Sequence, residues 1–222
     1  MARGTTTVEA EPAIGLSTIV LGVYDRILAE ILDGTRKAGS TVRDQDVAEE
    51  FGVSRTPVRE ALQLLRMVGL VEVLPSRFTR IAVLGVEDVE QAGSVSLLLY
   101  GLVIQEVAAG DAPVPLEEIE AEQAAARAAI DKPSEFFAHC FRLHDLVVQL
   151  SSNEHLLRAI DAVVHALRLA LITNASAISF EHVLAGQQGI IDGLREHNPG
   201  LAHHGIETLR GLGDHLPLPS AG

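Results

Sequence analysis

Residues 44–75 read DQDVAEEFGVSRTPVREALQLLRMVGLVEVLP, and the organisation of the first third of the chain follows from their spacing. Val47, Ala48 and Phe51 share one face of a short helix whose acidic first turn suits the positive end of the helix dipole, and Gly52 closes it. Ser54 then predicts an N-cap, with Pro57 in the first turn of a second helix. Val58, Ala61, Leu62, Leu65 and Val68 form its apolar stripe, which ends at Gly69. The stripe commits one side of this helix to a core, so Arg55, Thr56, Arg59, Gln63 and Arg66 point outward. Such a face suits the DNA major groove: guanidinium forks match guanine O6 and N7 or phosphate, a short hydroxyl reaches a backbone oxygen, and the helix N-terminus adds amide donors. A solvated polar face is the plainer reading of two arginines on a helix. The tight turn before this one and the strand pattern after it supply a docking geometry and favour DNA.

Upstream, STIVLGVYDRILAEILDG (17–34) places apolar residues at 20, 23, 24, 27, 28 and 31, with Ser17 as N-cap and Gly34 as stop, which predicts a first helix. Downstream, LVEVLPSRFTRIAVL (70–84) alternates apolar and polar residues on both sides of Pro75 and Ser76, a hairpin pattern. Three helices plus a β-hairpin wing make a winged helix-turn-helix over residues 17–84. Residues 1–16 lack apolar periodicity and read as a flexible arm. From residue 85 onward the period is helical, with expected helices at about 87–109, 116–130, 134–151, 153–175, 180–197 and 199–213. The expected fold is therefore mainly α: the winged domain, an all-α six-helix bundle over 85–215, and a tail at 216–222.

Composition agrees. The 222 residues are 47% hydrophobic and 4% aromatic, with no Trp, so the cores are built from Leu, Val, Ile and Ala. A single cysteine, Cys140, excludes an internal disulfide. The N-terminus lacks a basic-plus-apolar signal pattern, and no run of eighteen uncharged apolar residues occurs. The chain reads as cytoplasmic, with no membrane partner. Its net charge of −13 is divided unevenly. Residues 17–84 carry nine basic and nine acidic side chains, whereas residues 85–222 carry seven against nineteen. Local potential controls an encounter with phosphates, so a neutral module with clustered arginines still suits DNA. An architectural, sequence-indifferent DNA-binding protein is the alternative, but the acidic bundle would repel DNA. No Gly-rich phosphate loop, nucleophile elbow or paired-carboxylate motif is present, and His144 and Asp145, as helix neighbours, are not expected to face each other. No enzymatic activity is expected.

The run SRTPVREAL, within residues 44–75, resembles the DNA-binding domain of the GntR family of bacterial transcription regulators, over roughly residues 20–84. The six helices beyond the wing, with NEHLLRAIDAV opening the fourth, resemble the FCD-type effector domain of the FadR-like branch. The resemblance implies a homodimeric repressor that binds a roughly palindromic double-stranded operator and answers to a small organic effector. Carried over by motif, the base and phosphate contacts fall on Arg55, Thr56 and Arg59, with Ser54 before them counted among the DNA-binding residues. A basic position of the second helix falls on Gln45, with Arg43 nearby as a substitute, and the wing offers Arg77 and Arg80 in place of the usual glycine after a basic residue.

Many such effector domains hold a divalent metal with one Asp and three His, and the resemblance places these at Cys140, His144, Gln187 and Leu209. The usual carboxylate-binding arginine falls on Leu97. Only one ligand type survives, so no metal or other cofactor is expected. A zinc site built from Cys140 and His144 with another histidine is the alternative, and a neutral core histidine beside a small buried thiol is the plainer reading. Cys140, His144, Gln187 and Arg168 are the candidate polar lining of an otherwise aliphatic effector cavity, which points to a fairly apolar effector. His139 and His155 read as surface residues.

Overall fold

The computed structural model describes residues 17–74 and 78–211. The arm at 1–16, the tail at 216–222 and Arg77 at the wing tip lie outside the described residues.

The winged domain is built from α1 (Thr18–Leu32), β1 (Thr41–Val42), α2 (Asp44–Phe51), α3 (Arg55–Met67), β2 (Val71–Val73) and β3 (Thr79–Ile81). The Ser17 side chain accepts from the Val20 amide and starts α1. Gly52 ends α2 at φ +68°, a left-handed turn that suits glycine and brings the chain into α3 within three residues. Ser54 occupies the N-cap position of α3 with extended backbone, but its side chain makes no capping bond. The wing is more than the expected hairpin. β1 adds antiparallel to β3, pairing Thr41 with Arg80 and Val42 with Thr79, and the sheet order is β1-β3-β2. Val23, Ile27, Val58, Leu65, Leu70 and Ile81 form the centre of this domain's core.

The second domain comprises α4 (Val86–Ala109), α5 (Leu116–Ala128), α6 (Pro133–Val148), α7 (Glu154–Thr173), α8 (Phe180–Arg195) and α9 (Pro199–Arg210), with a 3-10 turn at Ala175–Ala177. Asn153 and Asn198 cap α7 and α9 with their side chains. α4 is the one helix among the described residues long and apolar enough, by length and mean hydropathy, to cross a membrane, which the count of uncharged residues did not flag. Its apolar face packs into the bundle through Tyr100, Val103, Ile104 and Val107. α8 and α9 approach backbone to backbone, because a Cβ on Gly193 would lie 2.2 Å from the Ala202 nitrogen and one on Gly205 2.5 Å from the Ile190 nitrogen. That approach sets Leu209 against Gly186 and so shapes one wall of the bundle interior.

α7 joins the two domains. Leu169 is buried in the winged domain's core, and the Asn174 Nδ2 donates to the Leu84 carbonyl at 2.9 Å, tying the connection after β3 to the end of α7.

Candidate nucleic-acid interface and bundle cavity

The apolar stripe of α3 is buried as expected, with Val58, Ala61, Leu62 and Leu65 in the core, and Arg55, Thr56, Arg59, Gln63 and Arg66 are all exposed. Between α3, the start of α2 and the wing runs a groove of about 690 Å³. Arg43, Gln45, Arg59, Gln63 and Arg66 line it on the helical side, and Val73, Phe78 and Thr79 on the wing side. Arg55, Thr56 and Ser54 stand exposed at the N-terminal end of α3, beside this groove.

Sequence reasoning missed the carboxylate at the centre of this face. Asp44, the first residue of α2, accepts from Arg55 Nη2 at 3.0 Å and also from Arg59 Nε. Burial would raise the Asp44 pKa, but the hydrogen bonds from Arg59 and Arg55 outweigh it and hold the carboxyl below the usual range. The two guanidiniums are thereby held in one orientation before any DNA arrives. Gln45 is bonded to Glu49 at 3.1 Å on the outer side of α2. Arg80, expected to be available to DNA, bonds Glu72 directly across the strand pair at 2.6 Å. It does not line the groove, because strand alternation sets Arg80 and Glu72 on the other face from Val73 and Thr79.

In the bundle a cavity of about 280 Å³ lies between α4, α6, α7, α8 and α9. Cys140, His144 and Gln187 line it, together with Leu97 and Leu209. Arg168 does not. Its Nη2 bonds both oxygens of Asp145 at 2.6 Å, and its guanidinium stacks over Phe141 at 4.6 Å. His144 and Asp145 do meet, contrary to the helix-neighbour expectation, with Nδ1 to Oδ1 at 3.1 Å. Burial would raise the Asp145 pKa, but the bond from His144 and the charge of Arg168 outweigh it and keep the carboxylate ionised. His139 is half-buried rather than on the surface, bonded to Glu122 at 2.7 Å.

Burial pushes the Cys140 thiol up to about 12, so the thiolate that a metal would need is strongly disfavoured. Among the described residues no group of three or more His, Cys, Asp or Glu converges as metal ligands. With Gln187 and Leu209 beside it, this donor set does not fit a divalent metal. The residue that sequence reading overlooked is Tyr100, whose ring lies 4.5 Å from that of His144. Its place in an apolar helical stripe hid it, since such a position usually signals packing alone.

A recognition helix with outward arginines, a preceding short helix, a tight turn and a wing, joined to a six-helix bundle, define a winged helix-turn-helix DNA-binding protein. Residues 20–81 match the family model for bacterial regulatory proteins of the gntR family. Residues 20–81 therefore carry a helix-turn-helix domain of the gntR type.

The chain is 29% identical over 192 residues to a protein of Paenarthrobacter nicotinovorans described as "Probable D-xylose utilization operon transcriptional repressor", covering 86% of this chain and 84% of that one. It is 28% identical over 172 residues to the HTH-type transcriptional regulator YdhC of Bacillus subtilis, covering 73% and 76% of the two chains. In fold it is similar to E. coli McbR/YncC, with a TM-score of 0.69 at 18% identity over 87% of this chain and 94% of that one. A transcriptional regulator GntR from Rhodococcus sp. RHA1 gives 0.65 at 20% identity over 88% and 92%.

Proposed function

We propose that the protein is a homodimeric repressor of the FadR-like branch, acting in the cytoplasm, whose C-terminal bundle is an FCD-type effector domain. It binds a roughly palindromic operator, and a small organic effector in the bundle cavity modulates that binding. The observation that carries the DNA reading is the pair Arg55 and Arg59, exposed on the first turns of α3 beside the groove. Arg43, Gln45 and Thr56 flank them as further contacts. The repressor assignment is supported by the description of the P. nicotinovorans relative. Dimerisation is supported by Val95, Leu98 and Leu102, which leave one side of α4 apolar and exposed. One recognition helix also reads too few bases for genomic specificity.

A route from effector to DNA follows from α7. Leu167 and Leu171 line the cavity, whereas Leu169 on the same helix sits in the winged domain's core. A molecule that favours one setting of α7 shifts the placement of the winged domains through its differential affinity for the two settings.

The test is footprinting on the promoter upstream of the protein's own gene and neighbouring genes. Arg55→Ala or Arg59→Ala should each cost on the order of 1–3 kcal/mol at the matched base pairs while the protein remains folded. Operator affinity equal to that of the unaltered protein would sink the assignment. A monomer by sedimentation at micromolar concentration, with one unsymmetrical footprint, would refute the palindromic dimer.

A further inference from the structure

We infer that the bundle cavity takes an uncharged molecule, mostly hydrocarbon, that carries at least two O–H or N–H donors, and that it excludes carboxylates. This rests on the reading of the cavity as an effector site and names the chemistry that the site recognises.

The carrying observation is a set of three polar atoms that line the cavity, each buried and each without a hydrogen-bond partner: Tyr100 Oη, His144 Nε2 and Gln187 Oε1. A buried polar group left unpaired costs stability, and three around one hollow mark a place where a bound molecule supplies the missing partners. The kinds of atom specify that molecule. Asp145, ionised and bonded to Arg168, can only accept, so His144 Nδ1 carries the proton of their shared bond. In the uncharged tautomer that this bond selects, Nε2 offers a lone pair to the cavity. Gln187 Oε1 also accepts. The Tyr100 phenol is fully buried and its pKa is raised, by desolvation first and by Asp145 second, so it stays protonated and can give or receive one bond. Two fixed acceptors and one hydroxyl therefore call for a ligand with two donors, and its remaining surface meets aliphatic and aromatic side chains such as Val89, Leu167 and Ile190.

Charge is excluded on the same ground. The charged side chains that line the cavity, Glu90 and Arg210, are both exposed. The half-buried Arg168 is held by Asp145 and does not line the cavity. A carboxylate inside would lack a buried guanidinium or ammonium and an ammonium a buried carboxylate, and an unpaired charge in such surroundings is costly.

The experiment is calorimetric titration of the full chain with five probes of similar size: catechol, resorcinol, anisole, benzoate and benzylamine. Catechol or resorcinol should bind at least tenfold more tightly than the other three. Tyr100→Phe and Gln187→Met should each reduce that affinity about three- to tenfold, while Gly93→Leu, which fills the hollow from α4, should abolish it. Parallel titration of Tyr100→Phe guards against a folding failure in Gly93→Leu. Binding of benzoate equal to or tighter than catechol, and lost in Gly93→Leu, would overturn the ligand class while leaving the effector cavity standing. No binding of any probe, or binding indifferent to all three substitutions, would instead refute the cavity as an effector site.

Discussion

Asp44 neutralises part of the outward arginine face proposed to meet DNA, so replacing it by Asn should change both affinity and discrimination. The substitution keeps the shape and removes one negative charge that both Arg55 and Arg59 contact. The guanidiniums are 51% and 62% exposed, so each pair contributes only about 0.2–1 kcal/mol, and the two together roughly 0.5–2 kcal/mol. Releasing both arginines should raise affinity for random duplex DNA by about two- to thirtyfold. One additional net phosphate contact steepens the dependence of log K on log salt by about 0.9, so the variant should lose about threefold more affinity than the unaltered protein between 50 and 200 mM salt. Operator binding should gain less than random binding, because the guanidiniums lose the carboxylate that orients them before contact, and the specificity ratio should fall. Fluorescence anisotropy on an operator duplex and a scrambled duplex, at four salt concentrations, reads all three quantities. An intact fold with unchanged random-DNA affinity and unchanged salt slope would refute the reasoning.

Cys140 should resist thiol reagents in the native protein: with the thiol pushed up to about 12, only about one part in ten thousand is thiolate at pH 8, so Ellman's reagent should label it far more slowly than in urea. Rapid native labelling would contradict its burial. Gly193→Ala should cost at least about 2 kcal/mol in urea unfolding, since the new methyl would sit 2.5 Å from the Ala202 Cα in a backbone-to-backbone contact. An unchanged midpoint would show that α8 and α9 are not so close. Asp145→Asn should cost about 1 kcal/mol at pH 7, a figure lowered for the partial exposure of the carboxylate. Because the folded pKa of Asp145 is depressed, its contribution is present above the unfolded value of about 3.9 and is lost as pH falls through the folded value, so the gap between variant and unaltered protein should narrow as pH falls below about 3.9. A gap that shows no narrowing with falling pH would assign the loss to packing instead.

What could be read from the sequence was whatever repeats within a turn or two of the chain. The stripe Val58, Ala61, Leu62, Leu65 turned the arginines of α3 outward, Gly52 marked the left-handed stop, and the bundle helices followed from their period of 3.6, so both domain types and the DNA face were visible without coordinates. β1 was not visible, because two residues carry no periodicity and Thr41 and Val42 become a strand only by pairing with β3. Ser54 and Arg80 show the converse limit. The serine sits at the N-cap position without forming a cap bond, and the arginine pairs across the strands with Glu72, a partner that its neighbours in the chain do not announce.

The cavity was legible only in part. Cys140, His144 and Gln187 could be placed on its wall by motif, but Tyr100 looked like any other residue in an apolar stripe, and Arg168 looked free until Asp145, 23 positions earlier, reached it. The same holds for Asp44, whose contact with Arg55 and Arg59 spans two helices. By itself the sequence determined which residues face a core and which face outward, since that depends on neighbours three or four positions away. Only the tertiary structure decided which polar side chain meets which, because helix rotation and the close approach at Gly193 and Gly205 arise from packing between segments far apart in the chain.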